Sequence, residues 1–327
     1  MSKLYQIIHA AWFAKRLTFF SMALMPLSFL FILLVKLRQT LYKKGFFKSE
    51  KFSIPIIVVG NITVGGSGKT PLVIALCGLL KSAGYFPAVI SRGYGGTYKK
   101  LSWVCSDSNP VEVGDEPVLI ATRCDVPVLV AKKRVDAVKA VLDDTNCNVI
   151  ISDDGLQHYA LQRDIEIVVV NDRKGFGNGL CLPAGPLREP QSRLNNVDFV
   201  IRNGGDTNES YYLSSSALVN INSPEKTFNL SLLENKKIYA VAGIGFPDSF
   251  FDYLKGLGAK PITHSFPDHH RYCESDFSFN ADDMVVMTEK DAVKCRDIAG
   301  DNFWFLPVSA VLPECWKDDL LQLVSSK

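Results

Sequence analysis

The run Gly60-Asn61-Ile62-Thr63-Val64-Gly65-Gly66-Ser67-Gly68-Lys69-Thr70 constrains this chain more than any other stretch. An apolar segment, residues 54–59, leads into it, and another, residues 72–80, follows. A strand, a glycine-rich loop and a helix in that order form an anion cradle. Loop N–H groups converge on phosphate, and the helix N-terminus adds its positive end. Glycine serves there because no Cβ obstructs the approach. In such loops the lysine reaches the outer phosphates and the following hydroxyl ligates a divalent cation. Those roles fall to Lys69 and Thr70. Thr63, Val64, Gly65, Gly66, Ser67 and Gly68 then supply the nucleotide-binding backbone. Pro71 fits the first helical turn, where an N–H has no intrahelical partner. The usual pattern has Gly where Thr63 stands, so flexibility must come from Gly65 and Gly66.

An apolar run of nineteen residues, 17–35, carries no charge and is flanked by Arg16 and Lys36. About twenty apolar residues span a bilayer core as a helix, and Pro26 inside the run does not exclude that. No small-residue cleavage site marks it as a signal peptide. Lys36, Arg38, Lys43, Lys44 and Lys48 outnumber Lys3, Lys15 and Arg16, which keeps the rest of the chain on the cytoplasmic side. The run is expected to attach the chain to a membrane, either spanning it or lying in the interface. The 8 cysteines are scattered without a Cys-x-x-Cys pair, which argues against zinc and disulfide scaffolds. The net charge of +2 gives no field for nucleic acid, and no obligatory protein partner is evident.

Beyond the anchor, β-branched runs at 54–59, 87–90, 127–131, 149–152 and 164–170 alternate with helical patterns at 72–83, 116–122 and 134–142. That alternation predicts an α/β fold with a parallel sheet covered on both faces. Ligands of such sheets sit beyond the carboxyl ends of the strands. The expected organisation is an N-terminal membrane helix over 1–45, a P-loop NTPase-like domain over 46–232 and a smaller α/β domain over 233–327. The last begins with a strand at 238–242. Residues 172–192, rich in Gly and Pro, read as one long functional loop.

Asp153 and Asp154 close an apolar strand, so they read as the carboxylates that meet the nucleotide's Mg²⁺. Gln157 and His158 follow directly at the same edge. Asp115 and Glu116 precede a helix; Asp115 suits either a helix cap or a base for an acceptor hydroxyl. Phe266-Pro267-Asp268-His269-His270 holds two of the five histidines without a zinc-like spacing. Arg188, in the long loop, and Arg92, in Ser91-Arg92-Gly93-Tyr94-Gly95-Gly96, match phosphate oxygens.

Together with Gly-Asp-Glu-Pro at 114–117, Asp-Asp-Gly-Leu-Gln-His at 153–158, Leu-Pro-Ala-Gly-Pro-Leu-Arg-Glu-Pro at 182–190, Ala-Gly-Ile-Gly-Phe-Pro at 242–247 and Met-Thr-Glu-Lys-Asp-Ala-Val-Lys at 287–294, these segments resemble the tetraacyldisaccharide 4′-kinase family. Thr63 in the first loop position also resembles that family. The resemblance implies transfer of the γ-phosphoryl group of ATP, with Mg²⁺, to the 4′-hydroxyl of an acylated disaccharide lipid. It implies Asp115 as base with a histidine of the Asp-His-His element, His269 ahead of His270 with the choice between them open. It also implies Glu116 with Asp153 and Asp154 at the metal, and Gln157, His158, Arg188 and Tyr94 as nucleotide or substrate contacts. The rival reading is a membrane-associated GTPase or transport ATPase. Against it, Thr288-Glu289-Lys290-Asp291 places its lysine one position late for guanine recognition.

Overall fold

The alternating runs form two sheets in a computed structural model that describes residues 3–14, 16–280 and 282–327. Along the chain come β1 (Ile56–Gly60), β2 (Pro87–Ser91), β3 (Leu101–Val104), β4 (Val128–Ala131), β5 (Val149–Asp153), β6 (Ile165–Asn171), β7 (Phe199–Asn203) and β8 (Ser210–Ser214). Then follow β9 (Ala217–Asn220), β10 (Thr227–Asn229), β11 (Lys237–Ala242), β12 (Lys260–Ser265), β13 (Val285–Thr288), β14 (Phe303–Leu306) and β15 (Ser309–Val311), with the short helices α4 (Pro110–Val113), α7 (Pro247–Gly256) and α8 (Glu289–Cys295) among the nine α-helices of the described residues. The first sheet has the order β15-β8-β7-β6-β1-β5-β2-β4-β3, and the second β10-β9-β14-β13-β11-β12.

In the first sheet β1 lies between β5 and β6, parallel to both. Only its edge strands, β3 and β15, run antiparallel. Side chains of β1 alternate between two cores, as a strand's period of two requires. Ile57 and Val59 face one core with Leu72, Leu76 and Leu80 of α3 (Lys69–Ser82). Ile56 and Val58 face the other with Val138 and Val141 of α6 (Arg134–Asp144). Burial on both faces explains why these strands read as unbroken apolar runs. The sheet sets the carboxyl ends of β1, β2 and β5 side by side.

The sheets divide the chain differently from the single junction expected near 232. β9 and β10 already pair within the second sheet, and β15 crosses back to β8. The C-terminal helix α9 (Glu314–Ser325) also returns, burying Trp316, Leu320 and Val324 in the first core. The polar segment 203–236 concealed three short strands, β8 to β10, near the sheet margins, and partner choice there is a tertiary matter.

At the front, α1 (Lys3–Trp12) precedes α2 (Phe19–Lys43), whose N-terminus is capped by the Thr18 hydroxyl accepting from Ser21 N–H at 3.1 Å. At 25 residues α2 is long and apolar enough to cross a membrane. Phe19, Leu27, Phe29, Leu30, Leu33, Leu34 and Leu37 on it are exposed. One edge is nevertheless tied to the body. Asn178 Nδ2 donates to Ser21 Oγ at 3.1 Å, Ser28 Oγ to Cys181 O at 2.8 Å, and Gln39 Nε2 to Glu189 at 2.7 Å. Ser21 to Gln39 spans about 27 Å of helix. The Gly/Pro-rich segment 172–192 is thus the seat of the N-terminal helix as well as part of the site.

Candidate active site

The loop 61–68 leaves β1 and ends where α3 begins at Lys69. Two side chains from distant strands brace it. Asn203 Nδ2 donates to Ser67 O at 3.2 Å and Tyr211 Oη to Gly68 O at 2.7 Å. Gly68 takes φ +93°, and a Cβ there would lie 2.2 Å from Asn203 Nδ2, so glycine is obligatory. On the other flank Val64 N–H donates to Pro186 O and Arg188 N–H to Ile62 O. This pairing carries Arg188 to the loop. Thr63 bridges Leu187 there. Asn61 closes the loop internally, donating to Gly65 O at 3.3 Å.

Asp154, at φ +47°, turns toward that cradle. Its carboxylate meets Lys69 Nζ at 3.3 Å and Arg188 Nη1 at 3.3 Å. Burial pushes this carboxyl up, but Lys69 and Arg188 outweigh burial and hold it below the ordinary range. Asp153, 1% exposed, behaves oppositely. Burial, then Glu116 and Asp154, push it up to about 7. Its Oδ2 accepts from Ser91 Oγ at 3.4 Å, and its backbone carbonyl from Arg134 Nη2 at 2.8 Å. Asp153 Oδ1 is buried with no partner. A buried carboxylate oxygen without a partner, in the field of two further carboxylates, suits a hard cation. Among the described residues no three His, Cys, Asp or Glu side chains gather into a cage of their own. Mg²⁺ needs none, because it commonly takes one or two carboxylates with phosphate and water oxygens.

The second cluster joins the two sheets. Asp115 opens α5 (Asp115–Cys124), directly after Gly114 at φ +95°. His269 lies after β12, also left-handed at φ +60°. Its Nδ1 stands 3.0 Å from both Asp115 oxygens, and Tyr94 packs on the ring at 5.1 Å between centroids. Burial pushes the Asp115 carboxyl up. Lys290, the His269 hydrogen bond and Lys294 outweigh burial and hold it at about 2. Burial lowers the His269 imidazole, but the bond to Asp115 raises it above its ordinary value. Lys290 reaches Glu116 at 3.0 Å and Asp268 at 3.1 Å, so its ammonium ties α5 to the second sheet's loop. Lys294 lies 3.8 Å from Asp115 and 2.7 Å from Asp291. The adjacent His270 points elsewhere, to Asp276 at 3.0 Å, so of the two it is His269 that meets Asp115.

Other expected residues divide. Gln157 is pinned behind the loop, donating to Asn61 O at 3.3 Å and Glu189 at 2.8 Å. His158 is half-buried, and burial with Arg134, Arg92 and Arg38 lowers its imidazole to about 4. Its neutral ring at pH 7 rules out a standing positive charge there. Arg92 contributes through that field, and its carbonyl accepts from Tyr98 Oη. Asn203, Tyr211, Ser91, Arg134, Glu189, Lys290 and Lys294 were not expected. Lys290 and Lys294 lay inside a quoted motif without an assigned role. Asn203 and Tyr211 carried no local signal.

Residues 20–325 match the model of the family described as tetraacyldisaccharide-1-P 4′-kinase. A tetraacyldisaccharide 4′-kinase of Methylobacillus flagellatus is 49% identical over 308 residues, covering 93% of this chain and 92% of that protein. One of Coxiella burnetii strain CbuK_Q154 is 47% identical over 304 residues, covering 93% and 91%. The crystal structure of LpxK from Aquifex aeolicus in complex with ATP superposes with a TM-score of 0.76 at 31% identity, covering 93% of this chain and 99% of that one. The chain belongs to the tetraacyldisaccharide-1-P 4′-kinase family.

Proposed function

We propose that this chain transfers the γ-phosphoryl group of ATP to the 4′-hydroxyl of a tetraacylated disaccharide 1-phosphate, as a step of lipid A biosynthesis. The observation that carries this reading is the 3.0 Å pairing of His269 with Asp115, which shares a site with the Lys69–Asp154–Arg188 cradle. Phosphoryl transfer needs mainly position and charge stabilisation. Loop N–H groups of residues 63–68 and the start of α3 receive the phosphates. Lys69 and Arg188 are already drawn together by Asp154, so an incoming phosphate meets two arranged cations. Asp115 accepts the hydroxyl proton as the acceptor oxygen attacks. It is ionised at neutral pH because Lys290, His269 and Lys294 hold it so. His269 orients Asp115 and shares the proton. The acceptor oxygen bonds to the γ-phosphorus, the bond to the β,γ-bridging oxygen breaks, and its electron pair leaves with ADP.

Thr70, Glu116, Asp153 and Asp154 are the residues that would hold Mg²⁺, with Asp153 Oδ1 the oxygen in need of a partner. When bound, Mg²⁺ neutralises charge on the phosphates. The acceptor's acyl chains keep it in a lipid surface, so the enzyme must work there. The exposed apolar side of α2 supports attachment at the cytoplasmic face of the inner membrane. The ties from Ser21 to Gln39 favour α2 lying in the interface alongside the body over leaving the body to span. Incubation with ATP, Mg²⁺ and the acylated disaccharide 1-phosphate in mixed micelles tests the reading. A lipid product heavier by one phosphoryl group is expected. An unchanged lipid with folded, ATP-binding protein would overturn it.

A further inference from the structure

Lys174 stands at the rim of the cradle, and none of the roles above uses it. It follows β6, where its backbone N–H donates to Asn171 Oδ1 at 3.1 Å. Its Nζ donates to Gly245 O at 3.1 Å and lies over the rings of Phe246, at 4.5 Å, and Phe13, at 5.1 Å. An ammonium has three donors, and one carbonyl occupies one of them. Among the described residues no carboxylate forms an ion pair with it, although nearly every other ammonium around the site has one. Burial lowers it from its ordinary value, and the more distant Asp248 and Asp268 oppose this. Holding a partly desolvated cation without a counter-ion carries a cost, so an anion is the missing partner.

The surroundings say which anion. A Cβ at Gly65 would lie 4.0 Å from Lys174 Nζ, so the ammonium stands over the glycines of the phosphate loop. Gly245, its anchor, packs on the same loop, where a Cβ would lie 2.6 Å from Gly66 N. Lys69 rises from the helix, while Lys174 is held over the loop by two aromatic faces, which favour a cation but do not neutralise it.

We propose that Lys174 is a further catalytic residue, whose ammonium contacts the γ-phosphoryl group of bound ATP and stabilises charge on its oxygens during transfer. This rests on the kinase reading above. Lys174 neither gains nor loses a proton: the hydroxyl proton passes to Asp115, and the electron pair of the breaking bond leaves with ADP. Phe13 from the N-terminal segment and Gly245 with Phe246 from the second sheet meet at this one ammonium, so all three parts of the chain set its position.

The test compares Lys174→Met and Lys174→Arg with the wild type in the full chain. Equilibrium binding of ATP and ADP is measured with Mg²⁺ alongside turnover. A contact to the γ-phosphate predicts at least about tenfold weaker ATP binding in Lys174→Met, with ADP binding unchanged within twofold. Turnover should fall about 100-fold or more, and Lys174→Arg should recover part of both. Equal weakening of ATP and ADP, or turnover within threefold of wild type, overturns the proposal. If Lys174→Met does not melt cooperatively, Lys174→Gln and Lys174→Arg give the same ATP-to-ADP comparison. Wild-type protein that binds ATP but leaves the lipid unchanged overturns the kinase reading instead. The nucleotide comparison then still decides Lys174.

Discussion

Replacing Asp115 by Asn removes one negative charge from a site whose partners are all specified. Asp115 is 4% exposed, and its carboxyl is held at about 2 against an ordinary 3.8. That difference stabilises the folded, ionised state by about 2 kcal/mol at neutral pH. The contribution is complete above the ordinary carboxylate value and disappears as pH falls through about 2. Asn loses it at every pH above that window. The loss stays near this size because the two lysines keep other partners. Lys290 retains Glu116 and Asp268, and Lys294 retains Asp291. A melting shift of several degrees is expected, with the fold kept. The effect on chemistry is far larger. Loss of a positioned base costs between about 100- and 10,000-fold in turnover. ATP affinity should hold within threefold, since Lys69, Asp154 and Arg188 are untouched. Steady-state lipid phosphorylation, nucleotide binding and thermal melting measure the three quantities. His269→Ala added to Asp115→Asn should cost little more than Asp115→Asn alone, because the pair acts as a unit. Turnover of Asp115→Asn within threefold of wild type, in folded protein, would refute the assignment of the base.

Lys69→Ala should abolish phosphorylation and weaken ATP binding, and a rate within tenfold of wild type in a coupled assay would remove the cradle from the mechanism. Gly245→Val places side-chain atoms where the Gly66 N–H lies, at 2.6 Å from an added Cβ. The atom met is backbone, so the chain must shift there, and turnover and melting temperature should both fall; unchanged kinetics would show that this contact is dispensable. His158 is lowered to about 4, so the folded state favours its neutral form. Its stabilisation is present above pH 6.5 and lost as pH falls toward 4. His158→Asn should flatten the loss of stability across that window, and an identical pH profile would contradict the burial of the ring. Replacing Leu30, Leu33 and Leu34 together by Glu should shift the protein out of the vesicle fraction in a flotation assay, with its ATP affinity retained. Undiminished flotation would exclude α2 as the lipid contact.

What could be read from the chain followed the range of each signal. The cradle and the Asp153-Asp154 pair are written in contiguous residues, where strand, loop and helix follow within a few positions. Asp115 was legible as a residue with two uses; in the fold Gly114 takes the cap position of α5 and His269 stands opposite the Asp115 carboxylate. Sequence did not separate His269 from His270, because neighbours share composition. The left-handed backbone at His269 turns that ring toward Asp115, while His270 finds Asp276. Asn203 and Tyr211 were illegible. They brace Ser67 and Gly68 across 136 and 143 residues of chain, and nothing near them in sequence marks that task. The return of β15 and α9 to the first sheet was hidden for the same reason, since the pairing of short edge strands depends on which partner the fold presents.

In the proposed reaction the cradle and the Asp115–His269 pair deliver a phosphoryl group to one hydroxyl of a lipid-borne disaccharide. Phosphorus–proton correlation spectroscopy of the lipid made by wild-type enzyme tests it most directly. A new phosphate monoester coupled to the proton at the 4′ carbon, strongly reduced in an Asp115→Asn reaction run for the same time, is the predicted result. A phosphate on any other carbon, or free phosphate released from ATP with the lipid unaltered, would contradict it.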